Sequence, residues 1–351
     1  MRIPLPIRGR GASENPPNRF ETLHLDSGDC HTPDSRSPYT RILHDATREI
    51  LSTNRSPDVP FEDGINPYRG CEHGCSYCYA RQYHEYLGFS SGLDFETNIV
   101  VKRDAPTLLR RRLSSERWTA RTLMMSGATD PYQPIERRLR ITRGIVEVLA
   151  EFRNPVAIIT KNHLVTRELD LLVELARHEA VFVVLSVTTL QNKLQRVMEP
   201  RTSTPSRRLA AIGALAGAGI PVGANLAPVI PGLTDHEIPA ILRSVADAGA
   251  TFANYVMLRL PHSVARVFEV WLEQHFPERK DKILNRLRDL HGSRLYDPTW
   301  GHRVRGSGVF ARQVDQVFRV ALRRTGLERQ CPSLSARAFR QPKTLGQLDL
   351  F

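Results

Sequence analysis

The pattern that most restricts the fold is a repeated alternation. Between residues 122 and 276, short apolar runs rich in β-branched residues alternate with longer segments whose apolar positions recur every three to four residues. The runs are TLMMSG (122–127), VAIIT (156–160), VFVVLSV (181–187), PVGANLA (221–227) and ANYVML (253–258), and INPYR (65–69) reads as an earlier short strand. The intervening segments predict helices over 137–152, 167–178, 207–218, 237–247 and 264–276, with another over 77–87. In 167–178 the inner stripe is Leu169, Leu172, Val173 and Leu175. Strands alternating with helices in this way build parallel βαβ units, and strands apolar on both faces are those that helices cover. Six such units around one core favour an α/β fold, a partial TIM-like (β/α)6 barrel, over an open sheet. Chemistry in such barrels sits at the C-terminal strand ends. Polar residues follow the strands there: Thr129, Asp130, Lys161, Asn162, Ser186, Thr188, Asn225 and Arg259.

The flanks differ in character. Residues 1–40 are rich in Pro, Gly, Ser and Asp and lack apolar periodicity, which predicts a mostly disordered tail ahead of a barrel spanning 41–290. Residues 291–346 form a basic extension, with an amphipathic helix over 311–324 followed by a loose tail. The chain carries 49 Lys and Arg against 37 acids, a net +12, and residues 297–351 supply +6 of it. A localised positive surface favours a polyanion, nucleic acid first, with Arg303, Arg305, Arg312, Arg319, Arg323 and Arg324 as candidate phosphate contacts. The plainer reading is a solvated arginine-rich face. There is no apolar run of about 18 residues and no apolar stretch near the start that would read as a secretory signal. The expected setting is cytoplasmic, close to the nucleoid, where thiols stay reduced.

Of five cysteines, three fall within RGCEHGCSYCYAR (69–81) at Cys71, Cys75 and Cys78. A tetrahedral zinc site pairs two such knuckles, and no second one follows. Cys30 and Cys331 lie far off in the flanks, and His73 sits awkwardly between two of the cysteines for a shared tetrahedron. Soft thiolates lacking a fourth protein ligand suit an iron–sulfur cluster with one iron left open to a small molecule.

The C-x3-C-x2-C spacing, with Tyr77 just before the last cysteine, resembles the radical S-adenosylmethionine (SAM) superfamily. The wording of 56–81, with HEYLGFSSGLDFET, SGATDPYQPIE, ITKNHL and EPRTSTPSRRL, resembles the branch related to spore photoproduct lyase, over roughly residues 41–290. That resemblance implies a 4Fe–4S cluster on Cys71, Cys75 and Cys78, with SAM chelated at the open iron. It also implies reductive cleavage of SAM to a 5′-deoxyadenosyl radical that abstracts hydrogen from the substrate, and an electron donor such as flavodoxin or ferredoxin. By position it places Tyr77 against the adenine. Ser126, Gly127, Thr129 and Asp130 fall where the SAM amino group binds, and Ser186 and Asn225 near its carboxylate and ribose. Lys161 reads as a SAM-carboxylate or phosphate ligand, or equally as a rim lysine. The branch acts on a thymine photoproduct in DNA and returns a hydrogen from a cysteine thiol near the segment that here reads SGATDPY. This chain has Ala128 there. Tyr132 is left as a candidate hydrogen donor, or as a structural tyrosine.

The chain ends GQLDLF. Gln347, Leu348, Asp349, Leu350 and Phe351 resemble the bacterial sliding-clamp-binding motif, in which Gln takes a polar site and Leu and Phe an apolar pocket. A tail folded back on its own barrel is the other reading. Three functions remain open at this level. They are a radical SAM enzyme repairing DNA bases and recruited by the clamp, a radical SAM enzyme modifying RNA or protein, and an iron–sulfur redox sensor that binds DNA.

Overall fold

Ten strands form two sheets in the computed structural model, which describes residues 3–20, 38–59 and 61–342. The strands are β1 (Arg41–His44), β2 (Leu51–Thr53), β3 (Asp63–Ile65), β4 (Tyr68–Arg69), β5 (Asn98–Val101), β6 (Leu123–Met125), β7 (Val156–Thr160), β8 (Val181–Ser186), β9 (Val222–Val229) and β10 (Phe252–Met257). In the larger sheet β3, β6, β7, β8, β9 and β10 are neighbours in chain order and all parallel, and β2 adds an antiparallel edge beside β3. Six parallel strands with helical crossovers are the partial (β/α)6 barrel that the alternation predicts. The smaller sheet, β1-β5-β4, has strands of two to four residues, too short to leave a periodic signal.

Each barrel strand divides its residues between two faces, because side chains alternate along a strand. Val156, Ile158, Val181, Val183, Leu185, Val222 and Ala224 join the main core under the helices. The alternate positions, Ala157, Phe182, Val184 and Phe252, pack together inside with Phe61, Ile159 and Leu334. Gly223 stands beside Phe252 in register, and a Cβ there would fall 2.3 Å from the phenyl ring, so glycine makes room for the plug. Two residues further along, the inward positions become Ser126, Lys161, Ser186 and Asn225, with Ser186 and Asn225 in register. An apolar plug below a polar layer leaves the chemistry at the C-terminal ends of the strands.

Several helices differ from expectation. The 137–152 helix is two, Glu136–Leu139 and Ile141–Phe152, broken at Arg140 (φ 54°). The buried Glu136 carboxylate causes the break by accepting the Thr142 N–H at 3.0 Å and so capping the second helix. The 77–87 helix is a 3-10 segment, Tyr79–Leu87, stopped by Gly88 in the left-handed region (φ 76°). The 167–178 helix begins as a 3-10 turn at His163–Glu168, where Asn162 Oδ1 accepts the Leu164 N–H, and continues as Leu169–Ala176.

Both flanks also differ. Residues 3–20 lie against the barrel, with Ala12 and Asn18 buried, in place of the disordered tail expected over 1–40. Their order comes from tertiary partners, since this segment has no regular structure of its own. Residues 21–37, and the C-terminal Gln347 to Phe351 motif, lie outside the described residues. The basic helix spans Gly308–Thr325 and packs on Ile238–Asp247 and Lys280–Leu290. The tail beyond it, as far as residue 342, is not loose. The Ala253 N–H donates to Glu328 O, the Ser335 N–H to Glu179 O, and the Arg340 N–H to Phe152 O (2.8, 2.9 and 2.9 Å). The barrel partners in these bonds, Ala253, Glu179 and Phe152, together with Thr251, whose carbonyl accepts the Glu328 N–H (3.0 Å), lie at or just before the starts of strands, so the tail crosses the base of the barrel and Leu334 closes it from below.

Candidate functional site

The cysteine loop follows β4 at the C-terminal rim. The Cys71 N–H donates to Phe95 O (2.9 Å) and the Ser76 N–H to Met198 O (3.1 Å). Gly74 has a positive φ of 66°, and a Cβ there would lie 2.7 Å from Glu96 Oε2. Glu96 is fully buried beside Arg81, whose Nε donates to Cys75 O (2.9 Å). The same carboxylate accepts the backbone N–H of Gly11 and Ala12 (3.1 and 2.8 Å). The N-terminal segment is thus strapped onto the back of the loop. A Cβ on Gly11 would sit 1.7 Å from Gly74 O, an approach only glycine permits. Cys71 and Cys75 are buried and Cys78 is half-buried. Burial pushes the Cys78 thiol up to about 11, and burial with the nearby Glu199 charge pushes Cys75 up as well. Thiols so placed stay neutral unless a cation binds them.

His73 holds the loop to the barrel and is no ligand. Its Nδ1 lies 3.4 Å from Asp130 Oδ2 and its Nε2 3.2 Å from Asn162 Nδ2. Asn162 Oδ1 already accepts from the Leu164 N–H and the Ser203 hydroxyl, and its Nδ2 faces the ring; burial opposes a charge on the imidazole, but the Asp130 carboxylate and Cys71 raise its pKa to about 10. Asp130 also accepts from the Thr160 hydroxyl (2.7 Å), the Lys161 N–H (2.8 Å) and the Tyr132 N–H (2.9 Å). It is a brace between strands and loop, with its lone pairs occupied. Thr129 is a brace too, donating to Gly70 O at 2.7 Å. Of the expected SAM-binding stretch, Ser126 and Gly127 face the open rim, half-buried, and Gly127 O accepts the Tyr79 hydroxyl at 2.8 Å.

The aromatic side of the cavity centres on a residue that sequence reasoning assigned no role. Glu199 is fully buried and bonded to the Tyr77 hydroxyl, to Arg208, to the Thr188 hydroxyl (2.7 Å) and to Lys161 Nζ (3.3 Å). Burial opposes its charge, but Arg208 and Lys161 outweigh it and hold the carboxyl well below its usual range. Lys161 also donates to Ala227 O (2.8 Å) and sits 5.7 Å from the Tyr77 ring centre. It is a tethered lysine at the cavity wall. The signal for Glu199 lay within EPRTSTPSRRL, where Glu and Arg nine residues apart meet across a turn.

The other candidates scatter. Ser186 and Asn225 line the lumen, and Asn225 Oδ1 is buried without a hydrogen-bond partner among the described residues. Tyr132 is fully buried in the main core near Glu168, Glu136 and Arg167, which is the structural reading. Arg303 bonds Asp58 and Ser56, Arg305 bonds Asn254, and Arg319 pairs with Asp315 at 2.9 Å. Arg312, Arg323 and Arg324 are exposed on the helix that packs on Ile238–Asp247, in the barrel's outer layer.

The radical SAM superfamily model matches residues 65–245, from the end of β3 through four complete crossovers and most of the fifth. The chain belongs to the radical SAM superfamily. It is 38% identical over 242 residues to an uncharacterized protein of Mycobacterium tuberculosis, covering 68% of this chain and 70% of that one. An uncharacterized protein of Methanocaldococcus jannaschii is 29% identical over 223 residues, 63% and 79% of the two chains. Among solved structures, spore photoproduct lyase complexed with a dinucleoside spore photoproduct has the same fold at a TM-score of 0.57, with 18% identity over 82% of this chain and 81% of that one.

Membership brings a 4Fe–4S cluster and SAM, and the residues present fit them. Three thiols stand on one loop at the rim within electrostatic reach of one another, Cys71 and Cys75 buried and Cys78 half-buried. Among the described residues no three His, Cys, Asp or Glu side chains converge on a single ion. Three thiolates that each take a separate iron of a cube need no such convergence.

Proposed function

We propose that this radical SAM enzyme acts on a base in DNA, as a repair activity, with Cys71, Cys75 and Cys78 holding the cluster. When bound, cluster and SAM supply a reductive cleavage that starts hydrogen-atom abstraction from a substrate. The chain's own residues do the rest. Glu199 sets the Tyr77 ring and tethers Lys161, while Asp130 and His73 fix the loop to β7. The Phe182, Phe252 and Leu334 plug excludes water from below.

The observation that carries the reading is the layer above that plug. In that layer Ser126, Ser186 and Asn225 are uncharged hydrogen-bonding groups, Asn225 Oδ1 has no partner among the described residues, and the layer's cation, Lys161, is already paired with Glu199. Such a lining suits a neutral heterocycle with ring N–H groups better than a charged metabolite, which would call for an ion-pair partner. The +12 net charge and the fold shared with an enzyme crystallised on a dinucleoside lesion support DNA as the source of that heterocycle. Ala128 separates the chain from that enzyme's expected thiol chemistry, and the one described cysteine outside the loop, Cys331, is exposed in the basal tail. We therefore propose a lesion other than the thymine photoproduct. A flavodoxin- or ferredoxin-type donor supplies the electron, and Gln347 to Phe351 recruit the enzyme to the sliding clamp.

The test is anaerobic reconstitution with SAM, reductant and either irradiated or undamaged DNA, followed by product analysis. Damaged DNA should raise 5′-deoxyadenosine formation and show an altered base. Turnover that depends on RNA alone, or none with any nucleic acid, would overturn the DNA reading.

A further inference from the structure

The rim beside Cys78 carries a group of aromatic and arginine side chains outside the set expected to hold the cofactors. Tyr79 directly follows Cys78, and its hydroxyl donates to Gly127 O at the lumen edge. The Arg259 guanidinium lies 4.2 Å from the centre of the Tyr79 ring, and its Nε is buried without a hydrogen-bond partner among the described residues. Tyr83 meets Tyr79 edge-on at 6.5 Å and stands within electrostatic reach of Arg259, Arg303 and Tyr296. Arg303, locked by Asp58 and Ser56, lies 4.0 Å from the centre of the Trp300 ring. Tyr83 is 45% and Trp300 52% exposed, high for large aromatic rings on a surface with no partner of their own.

We infer that these residues form a stacking platform for an unpaired DNA nucleotide, holding the strand on either side of the base that enters the lumen. This rests on the DNA reading above and adds the form in which DNA arrives. A base inside a duplex cannot reach a lumen walled by strands on its inner face, so it must be single-stranded or extruded. Aromatic rings with arginines over them are what sequence-tolerant single-strand binding uses, the rings for bases and the guanidinium for stacking and phosphate. The patch holds no aliphatic side chain and no unpaired carboxylate among its members. Arg303 is held by Asp58 and Ser56, so its guanidinium stands ordered beside Trp300, while Arg259 Nε has no partner among the described residues and is open to one.

The experiment uses the full chain with its cluster reconstituted, and fluorescence anisotropy with labelled oligonucleotides of equal length. The probes are single-stranded DNA, the same strand with abasic sites, duplex DNA and single-stranded RNA. Unmodified protein should bind single-stranded DNA more tightly than the abasic strand or the duplex. The Tyr83→Ala, Trp300→Ala double variant should weaken single-strand binding by about five- to a hundredfold and leave the abasic strand unchanged. Both residues are exposed, and unchanged iron content and SAM binding report that the variant is folded. If the variant binds single-stranded DNA like the unmodified protein, the platform is wrong while the DNA reading stands. If the unmodified protein binds no DNA, or binds RNA at least tenfold more tightly, the DNA reading fails and the platform with it.

Discussion

Glu199 shows how much one buried carboxylate can organise. It joins Tyr77, 122 residues earlier in the chain, to Thr188, Lys161 and Arg208. Removing it strands the fully buried Arg208 guanidinium and frees the Tyr77 ring. Glu199→Ala is expected to cost about 3–5 kcal/mol, the usual penalty for an orphaned buried charge, measured by urea unfolding. Glu199→Gln should cost less but weaken SAM binding in calorimetry, because the neutral amide cannot hold both cations. His84 gives a pH signature. Burial lowers its pKa to about 4 from 6.5, and its Nε2 has no hydrogen-bond partner among the described residues. Between pH 6.5 and 4 the unfolded chain binds the proton and the folded one does not. Stability is therefore complete above pH 6.5 and falls with acidification down to about pH 4, by about 3 kcal/mol in all. His84→Gln should flatten that part of the unfolding profile. An unchanged slope would mean that another group governs it.

At the scale of elements, the loop is held from behind as well as from within. The strap of residues 10–12 reaches the cysteine loop through Glu96, which also receives Arg81. Deleting residues 1–20 should leave the barrel folded by far-ultraviolet circular dichroism, since its core lies elsewhere. The same deletion should lower the iron and sulfide retained after reconstitution and speed cluster loss in air. Full retention would show that Arg81 alone suffices. This strap was illegible in the sequence for a physical reason. RGRGA has no periodicity, and its order comes from carbonyl and carboxylate partners more than 80 residues away. Likewise the basal tail reads as loose because the bonds that anchor it go to residues around the starts of strands and form no repeating ladder of its own. The short strands β1 and β5 escape for want of length, and INPYR (65–69), read as one strand, is the end of β3 and, after Asn66 and Pro67, the two residues of β4 in the other sheet.

For the whole molecule, the positive charge divides between structure and surface. Arg303 and Arg305 are tied into the fold near β10, whereas Arg312, Arg323 and Arg324 remain exposed on the outer helix. DNA affinity should therefore fall with salt less steeply than six phosphate contacts would give, with a log–log slope shallower than about −5. A slope of −5 or beyond would show that all six arginines reach phosphates. Deleting residues 347–351 should abolish binding to purified sliding clamp and leave cluster content and turnover unchanged. Unchanged clamp binding would retire that recruitment.

What the sequence determined by itself was whatever repeats or lies close together. Periodicity established the six parallel units, because a strand covered on both faces must be apolar at every position. Cysteine spacing pointed to the cluster loop, because the three candidate ligands lie within eight residues. Tertiary structure alone decided which polar residues face the lumen and which are braces. Asp130 and Thr129 look like ligands in sequence but are saturated by the loop and β7, while Glu199, Arg259 and Tyr83 gain their roles only from neighbours brought in by the barrel. A side chain's chemistry is written in its type. Its availability depends on which of its hydrogen bonds the fold has already filled.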